Sequence, residues 1–317
     1  LASLTDGLGN TTFYTYDGMD ELISVRKAVP DTSQVMELIY ERNAMEQITK
    51  VTDALGRTET YQYDSLGKMV EKTDRSGRNT SYTYDSLGLL KGVKWADGRV
   101  ASYEYTPLRR LREIQDWIGT TRMKYDGMGN LLEIEYPDKR TLSYIYDGVG
   151  NKVQMVYPDG KAVSYTYDAL GRMKEIIQEE GAVSYSYDKY GNVSERTLPD
   201  GTAVRYQYDK NGALSRMTYQ DQKGVLDEFT FGYDEMGRRN TYGLYRRDIP
   251  GENGQYAYSY DGAGHLSQIR KNQQLLREYQ YDSFGNRKSR TDFDLVTGQK
   301  KNTSYTYDLS GALLKMV

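Results

Sequence analysis

Polar and apolar residues alternate in short runs along this chain, and no stretch keeps the 3.6-residue period of a helix. Tyrosines two positions apart recur throughout, as at Tyr82 and Tyr84 and at Tyr165 and Tyr167. Residues two apart share one face of a strand, and aromatic side chains suit that pleated surface. We therefore predict an all-β protein in which each Tyr-x-Tyr run is a strand.

The strand-like run ends in Tyr-Asp at 12 places, and altered copies at Tyr40 and Tyr105 bring the number of repeats to 14. From Tyr63 to Tyr208 every step is 20 or 21 residues, and elsewhere the steps run from 21 to 27. Self-similarity at a fixed period indicates a repeat architecture. We predict that residues 1–317 form one array of about 14 repeats.

The turn after each Tyr-Asp pair, called here the YD turn, has the form Asp-x-x-Gly in 11 of the 12 pairs. An aspartate at the first position accepts hydrogen bonds from backbone amides two or three residues on, and glycine supplies the positive φ that ends the turn. Only Asp17 lacks the glycine and has Asp20 in its place. We therefore assign a structural turn role to these residues: Asp64, Gly67, Asp85, Gly88, Asp126, Gly129, Asp147, Gly150, Asp168, Gly171, Asp188, Gly191, Asp209 and Gly212.

A second strand follows the YD turn, with apolar residues two and five positions after the glycine, such as Met173 and Ile176 after Gly171. In a regular strand these positions lie on opposite faces, so either both faces are covered or a bulge resets the register. A second turn, often Pro-Asp-Gly as at residues 158–160, closes the repeat. Three second turns are enlarged, at 220–224, 249–254 and 297–300.

Two strands per repeat give roughly 27 antiparallel strands, and open twisted sheets rarely exceed about 10 strands without curling. We expect tandem β-hairpins in a long curved antiparallel sheet, a spiral or open barrel-like wall around a space. Tyrosine suits such a wall because its ring is apolar and its hydroxyl reaches water or a polar neighbour. The chain has 32 tyrosines and only 5 phenylalanines, so the phenol itself is selected.

Charge and composition exclude several classes of function. The net charge is -3 with no long lysine or arginine block, which argues against nucleic acid as a partner. No apolar run approaches the roughly 20 residues of a membrane helix, and nothing in the segment resembles an export signal. The chain has no cysteine, so thiol chemistry and cysteine-based zinc sites are absent.

Few residues in the chain suggest chemistry. His265, the single histidine, has no catalytic motif around it and is interpreted as a turn residue. The repeated aspartates lack the period or loop of calcium sites, so we expect no metal, no cofactor and no catalytic residue. Trp95 and Trp117 offer rings for stacking on glycans, or else they cover a gap beside the altered turn at Thr106–Arg109. We expect no enzyme activity.

The residue before the turn glycine is usually apolar, which is unusual for a free hairpin tip. We predict that these tips pack against neighbouring repeats. They are Leu66, Leu87, Met128, Val149, Leu170, Met236 and Phe284.

Segments such as Tyr61-Gln62-Tyr63-Asp64-Ser65-Leu66-Gly67 resemble the RHS/YD repeats of bacterial rearrangement-hotspot and wall-associated proteins, toxin-complex C subunits and teneurins. The resemblance covers essentially the whole chain. It implies a hollow β-shell, which in the toxin members encloses a C-terminal effector released by self-cleavage. The core segment for that cleavage is not found among these residues, so no cleavage role is carried over to any of them.

We therefore expect a shell segment of a large bacterial RHS/YD-repeat protein, secreted or at the cell surface, that encloses or carries a C-terminal toxin domain. Its partners would be the rest of the shell and the enclosed cargo. The alternative is a repeat module that binds cell-surface glycans or a partner through an outward tyrosine face.

Overall fold

The computed structural model describes residues 2–28, 35–308 and 310–317. These residues form 29 strands and one short 3₁₀ turn, Pro250–Glu252. The predicted all-β fold of tandem antiparallel hairpins is confirmed. The strands are β1 (Ser3–Thr5), β2 (Thr11–Tyr16), β3 (Leu22–Ala28), β4 (Val35–Arg42), β5 (Ile48–Thr52), β6 (Thr58–Tyr63), β7 (Met69–Thr73), β8 (Asn79–Tyr84), β9 (Leu90–Lys94), β10 (Val100–Tyr105), β11 (Leu111–Gln115), β12 (Thr120–Tyr125), β13 (Leu131–Glu135), β14 (Thr141–Tyr146), β15 (Lys152–Val156), β16 (Ala162–Tyr167), β17 (Met173–Gln178), β18 (Gly181–Tyr187), β19 (Val193–Thr197), β20 (Ala203–Tyr208), β21 (Leu214–Asp221), β22 (Gly224–Tyr233), β23 (Arg239–Arg246), β24 (Gly254–Tyr260), β25 (Leu266–Lys271), β26 (Gln274–Tyr281), β27 (Arg287–Phe293), β28 (Lys300–Tyr307) and β29 (Leu313–Met316).

A β-bulge at the YD turn sets the register of each hairpin. In β16 and β17, Tyr165 lies opposite Ile176, but Tyr167 lies opposite Met173, so one residue of β17 is left unpaired. The apolar residues two and five positions after Gly171 therefore share a face with the tyrosines. Of the two alternatives left open by the sequence, the bulge is the one observed.

The chain folds as two compact units, each made of hairpins that pack mainly on one another. Unit 1 comprises Leu1–Thr83, Lys94–Gly98 and Gln255–Val317, and unit 2 comprises Tyr84–Val93 and Arg99–Gly254. Within each unit, strands that are consecutive in the chain pair antiparallel, as β5 does with β6 and β15 with β16. Each hairpin is thus held by its neighbours in the array rather than by a second layer.

The face that carries the Tyr-x-Tyr pairs, called here the tyrosine face, holds the few fully buried apolar side chains of unit 2. Val204 is completely buried, opposite Arg196 on one neighbouring strand and Tyr219 on the other. The other face is polar, with cross-strand pairs such as Lys124 with Glu133. One face of each strand therefore serves as the core, as the period-2 pattern requires.

The second turns that were expected to be enlarged differ from one another. Near 220–224 the extra residues lengthen β21 and β22 to 8 and 10 residues, and the hairpin closes tightly between Asp221 and Gly224. Near 249–254 the chain forms the 3₁₀ turn. Near 297–300 a loop joins β27 to β28.

Candidate functional surface

The YD turn is closed by one aspartate that satisfies several backbone groups. At Asp168, one carboxylate oxygen accepts the amides of Leu170 and Arg172, both at 2.9 Å. The Asp168 amide donates to the Arg172 carbonyl, and the Gly171 amide donates to the Asp168 carbonyl. Gly171 has a φ of 76°, a conformation that costs other residues about 1–2 kcal/mol. The amides bound are thus two and four residues on, rather than two and three.

The second carboxylate oxygen binds the side chain of the residue that follows the turn glycine, called here the post-turn residue. Arg172 donates to Asp168 at 2.7 Å, and Asn151 donates to Asp147 at 3.0 Å. The Arg172 guanidinium and the two amides lower the pKa of Asp168, and the Asn151 amide does the same for Asp147. The repeated Gly-Arg and Gly-Asn pairs are the sequence signal for this contact, which the sequence-based assignment of the turns missed.

The hydroxyl of the second tyrosine of the pair, called here the YD tyrosine, reaches back to the preceding repeat. The Tyr167 hydroxyl donates to the Lys152 carbonyl oxygen at 2.8 Å, and the Tyr63 hydroxyl to that of Ile48 at 2.8 Å. Each acceptor is the first residue of the second strand of the preceding repeat. It lies beyond the last residue pair between that strand and the strand of the YD tyrosine. The same bond is made in the described repeats by Tyr105, Tyr125, Tyr146, Tyr187, Tyr208, Tyr233, Tyr281 and Tyr307.

This bond explains why tyrosine replaces phenylalanine in the repeat. A backbone carbonyl at a strand end needs a donor, and the phenol supplies one from the next repeat while its ring covers apolar surface. Burial also raises the pKa of Tyr167 above its ordinary value, so the protonated donor is the favoured form.

Cations lie among the rings of the tyrosine face. The Lys152 ammonium lies 4.7 Å from the centre of the Tyr165 ring and 5.7 Å from that of Tyr144. In unit 1, the Arg287 guanidinium lies 4.7 Å from the Tyr279 ring centre. Such contacts contribute about 0.5–2 kcal/mol, depending on how far the cation is desolvated. The face is therefore a mixed aromatic and cationic surface rather than a purely apolar one.

The two tryptophans lie in second turns, away from the altered turn that they were expected to cover. Thr106–Arg109 closes like the other YD turns, with Arg109 at a φ of 62° and the Thr106 hydroxyl accepting the Arg110 amide. It lies at the opposite end of β11 from Trp117, so there is no gap for that ring to fill. Trp117 is 51 % exposed, and the Arg99 guanidinium lies 4.5 Å from its ring centre. Trp95 begins the turn that Gly98 closes.

His265 is a post-turn residue, in the position that arginine or asparagine holds in other repeats. Its Nδ1 lies 3.2 Å from the Asp261 carboxylate, and its ring stacks on Tyr281 at 4.7 Å. No group of three or more metal-ligating side chains is found within the described ranges. No helix in the described part of the chain is long and apolar enough to cross a membrane.

The hypothesis that the apolar turn tips pack on neighbouring repeats is wrong. Leu66 and the tips of unit 2 are mostly exposed, and of the predicted set only Phe284 is half-buried. The side chain at a turn tip extends beyond the paired residues of its hairpin, and the adjacent hairpin of the same sheet has no residue there that could contact it. A cation far away in sequence, the Lys27 ammonium, lies over the Phe284 ring.

A contact between residues distant in sequence, called here the seam, lies within unit 1. The backbones of Gly7 and Gly262 approach so closely that a Cβ at Gly7 would lie 2.0 Å from the Gly262 carbonyl oxygen. The Lys27 ammonium lies 5.6 Å from the Phe284 ring centre. The seam thus joins a second turn from the start of the chain to a YD turn about 255 residues later.

Two other turns of unit 1 are also less exposed than equivalent turns. Ser283, in the YD turn beside Phe284, is only 9 % exposed, whereas Ser65 at the same position of another YD turn is exposed. The Asp53 side chain, in a second turn, is 2 % exposed, against 31 % for Asp74 in the next second turn. The charge of Arg57, beside Asp53, also helps the Ser310 hydroxyl to lower the pKa of Asp308.

Two models of repeat-protein families match parts of this chain. The family model described as teneurin YD-shell matches residues 75–225, and the model of the RHS repeat matches residues 47–78. No curated protein sequence matches the chain.

Two solved structures show the same fold. The crystal structure of TcdB2-TccC3-Cdc42 is 16 % identical with a TM-score of 0.80, over 97 % of this chain and 19 % of that one. The Tc holotoxin pore of Photorhabdus luminescens, with a TccC3 mutation, is 15 % identical with a TM-score of 0.80, over 97 % of this chain and 18 % of that one. The chain thus spans about a fifth of the length of these structures.

Proposed function

The chain is an RHS/YD-repeat protein, and on that premise we propose that it is a structural shell segment that encloses or carries a C-terminal effector domain. Its role in this proposal is steric rather than catalytic. The observation that carries it is the likeness over 97 % of the chain to chains of Tc toxin complexes. The repeats themselves, matched across residues 47–225, are those of the YD shell and the RHS repeat.

The structure of the repeat supports a wall rather than a binding pocket. Backbone ladders, turn carboxylates and YD tyrosines satisfy polar groups from one repeat to the next, so a thin sheet persists without a second layer to cover it. The seam of unit 1 then pairs turn edges from distant parts of the chain. Paired edges limit access between rows of hairpins, which is the property that a container needs.

The proposed partners follow from the neighbours. One neighbour is named as a Tc holotoxin pore. By analogy we propose that the longer protein carries a toxin as cargo, works outside the producing cell or at its surface, and uses these repeats as part of the container. Cations among the tyrosine rings of each unit offer a cargo both apolar and charged contacts.

The first test is the gene sequence downstream of the Val317 codon. The proposal expects further repeats and then an unrelated, non-repetitive domain. A cell-wall anchor or a stop codon after a few more repeats would contradict the cargo role.

A second test uses the longer protein itself and limited proteolysis. The non-repetitive domain is expected to resist protease in the native protein and to become sensitive after Gly262→Ala, which forces the seam apart. Gly148→Ala is the matched control, because Gly148 holds the same turn position and a Cβ there meets nothing within 4 Å. Equal cleavage in all three proteins would refute enclosure by these repeats.

Glycan binding by Trp95 and Trp117 remains a separate proposal. The Trp117 ring is 51 % exposed, and the Arg99 guanidinium lies 4.5 Å from its centre. Binding to a glycan array that Trp117→Ala and Trp95→Ala abolish would support it, and an unchanged array would dismiss it.

A further inference from the structure

The exposed tips of the YD turns of unit 2 form a row of apolar side chains, called here the tip row. Seven of the eight YD turns in unit 2 carry an apolar or aromatic residue at the third position, and these seven are 58 to 84 % exposed. They are Leu87, Leu108, Met128, Val149, Leu170, Tyr190 and Met236. One exposed leucine needs no explanation, but a regular row on a single edge marks an interaction surface.

The seam of unit 1 shows what chemistry covers such an edge. There the YD turn that begins at Asp261 meets the second turn that begins at Asp6, and the Leu8 side chain comes within 3.5 Å of a Cβ built on Gly262. In the adjacent YD turn of unit 1, Ser283 is buried and Phe284 is half-buried. A YD-turn edge is therefore covered by the second-turn edge of another row of repeats.

Unit 2 has a second-turn edge of its own, with matching properties. Ile118 and Tyr157 are exposed in second turns, at the opposite ends of the strands from the tip row. The same edge carries exposed aspartates, while two YD turns of the tip row carry exposed lysines. These charged residues are Asp159 and Asp200 on the second-turn edge and Lys189 and Lys210 beside the tips, whereas Asp138 on the second-turn edge is already paired with Arg140.

We propose that the tip row of unit 2 is a docking edge for the second-turn edge of a second copy of this chain. Apolar tips would be buried against apolar second-turn residues, as Leu8 lies against the Gly262 turn in unit 1, and lysines of the tip row would face aspartates of the other edge. Since the two edges are different surfaces, the contact is heterologous and generates open head-to-tail assemblies rather than closed dimers. The proposal rests on the seam of unit 1 and not on the presence of cargo.

The test is sedimentation of the 317-residue chain over a range of concentrations. The chain is expected to form a series of oligomers that grows with concentration. In a tip-row variant carrying Met128→Asp, Val149→Asp and Leu170→Asp, association should weaken by at least about tenfold, since each change removes a buried apolar side chain from the contact. A monomeric wild-type chain at every concentration would overturn the proposal.

Complementation separates this contact from other routes to association. A second-turn variant with Ile118→Asp and Tyr157→Ser should associate as weakly as the tip-row variant. An equimolar mixture of the two variants should form a discrete heterodimer through the one intact pair of edges. Strand pairing through the terminal strands β1 and β29 would instead leave both variants as associated as the wild type, which would refute the docking edge.

Folding of the variants is checked independently. All three tip residues are exposed in the described structure, so circular dichroism and the urea midpoint should match those of the wild type. A single Leu170→Asn variant provides a milder change at the same edge, and full association in that variant and in the triple variant would also overturn the proposal.

Discussion

The hydroxyl of the YD tyrosine is predicted to stabilise the array, and Tyr167→Phe tests this with one atom removed. The change deletes the 2.8 Å hydrogen bond to the Lys152 carbonyl and leaves the ring in place. A bond of this kind has a net contribution of about 0.5–1.5 kcal/mol. Because the site is half-buried and water can reach part of it, we expect a loss of about 1 kcal/mol in the free energy of unfolding.

Tyr165→Phe is the internal control for this prediction. Tyr165 lies on the same strand and the same face, and the described structure shows its ring against the Lys152 ammonium but no hydrogen bond from its hydroxyl. Urea unfolding of the two variants, followed by circular dichroism, gives the comparison. Hydrogen exchange should also rise locally in β15 for Tyr167→Phe, since repeat arrays open in local segments. Equal losses for both variants would refute the role given to the phenol.

Three further predictions concern turns, the seam and pH. Gly171→Ala should lower the free energy of unfolding by about 1–2 kcal/mol, because φ at this position is positive, although a Cβ there clashes with no neighbour. Arg109→Gly should raise the free energy of unfolding by about 1 kcal/mol, because φ at Arg109 is also positive. Urea unfolding measures both changes. Gly262→Ala should raise hydrogen exchange at residues 6–10, because Cβ atoms do not approach closer than 3.0 Å and this one would lie 2.7 Å from the Gly7 carbonyl oxygen; Gly148→Ala should leave that exchange unchanged. Stability should fall as the pH drops below 3.8, the unfolded pKa of aspartate, because the pKa of the turn aspartates is lower in the folded protein. Stability should also fall as the pH rises above 10.0, the unfolded pKa of tyrosine, because the pKa of the YD tyrosines is higher in the folded protein. Melting temperatures measured across this pH range test both predictions. A constant melting temperature at low pH would refute the role of the aspartates, and one at high pH would refute that of the tyrosines.

Most of the local structure could be predicted from the sequence because the same strand and turn patterns recur in nearly every repeat. Tyr-x-Tyr marks a strand by its period of two, and Asp-x-x-Gly marks a turn by its hydrogen-bonding and conformational needs. The bulge could only be left as one of two alternatives, since the spacing of Met173 and Ile176 fits a bulged strand on one face or a regular strand on both. Register is a property of two strands, and one strand's pattern does not fix it.

The contacts between distant residues were beyond the sequence pattern. Gly7 and Gly262 each look like ordinary turn glycines, and Gly148 in the same turn position is one. What distinguishes them is a partner about 255 residues away, which no local pattern encodes. The same holds for the tips, because Leu66 and Phe284 occupy equivalent positions and only Phe284 is covered.

The repeat solves a problem that a single-layer sheet poses, namely how to keep polar backbone groups satisfied at strand ends without a second layer to cover them. At one end of each strand, the Asp168-type carboxylate ties the turn to itself and to its post-turn side chain. Beside it, the Tyr167-type phenol ties that turn to the previous repeat. Both contacts link sequence neighbours, so they recur at every repeat whatever the length of the array, and their summed contribution grows with it. Ten phenol bonds at about 1 kcal/mol each would match the total stability of an ordinary domain. This argument accounts for tyrosine, rather than phenylalanine, as the aromatic residue of the repeat.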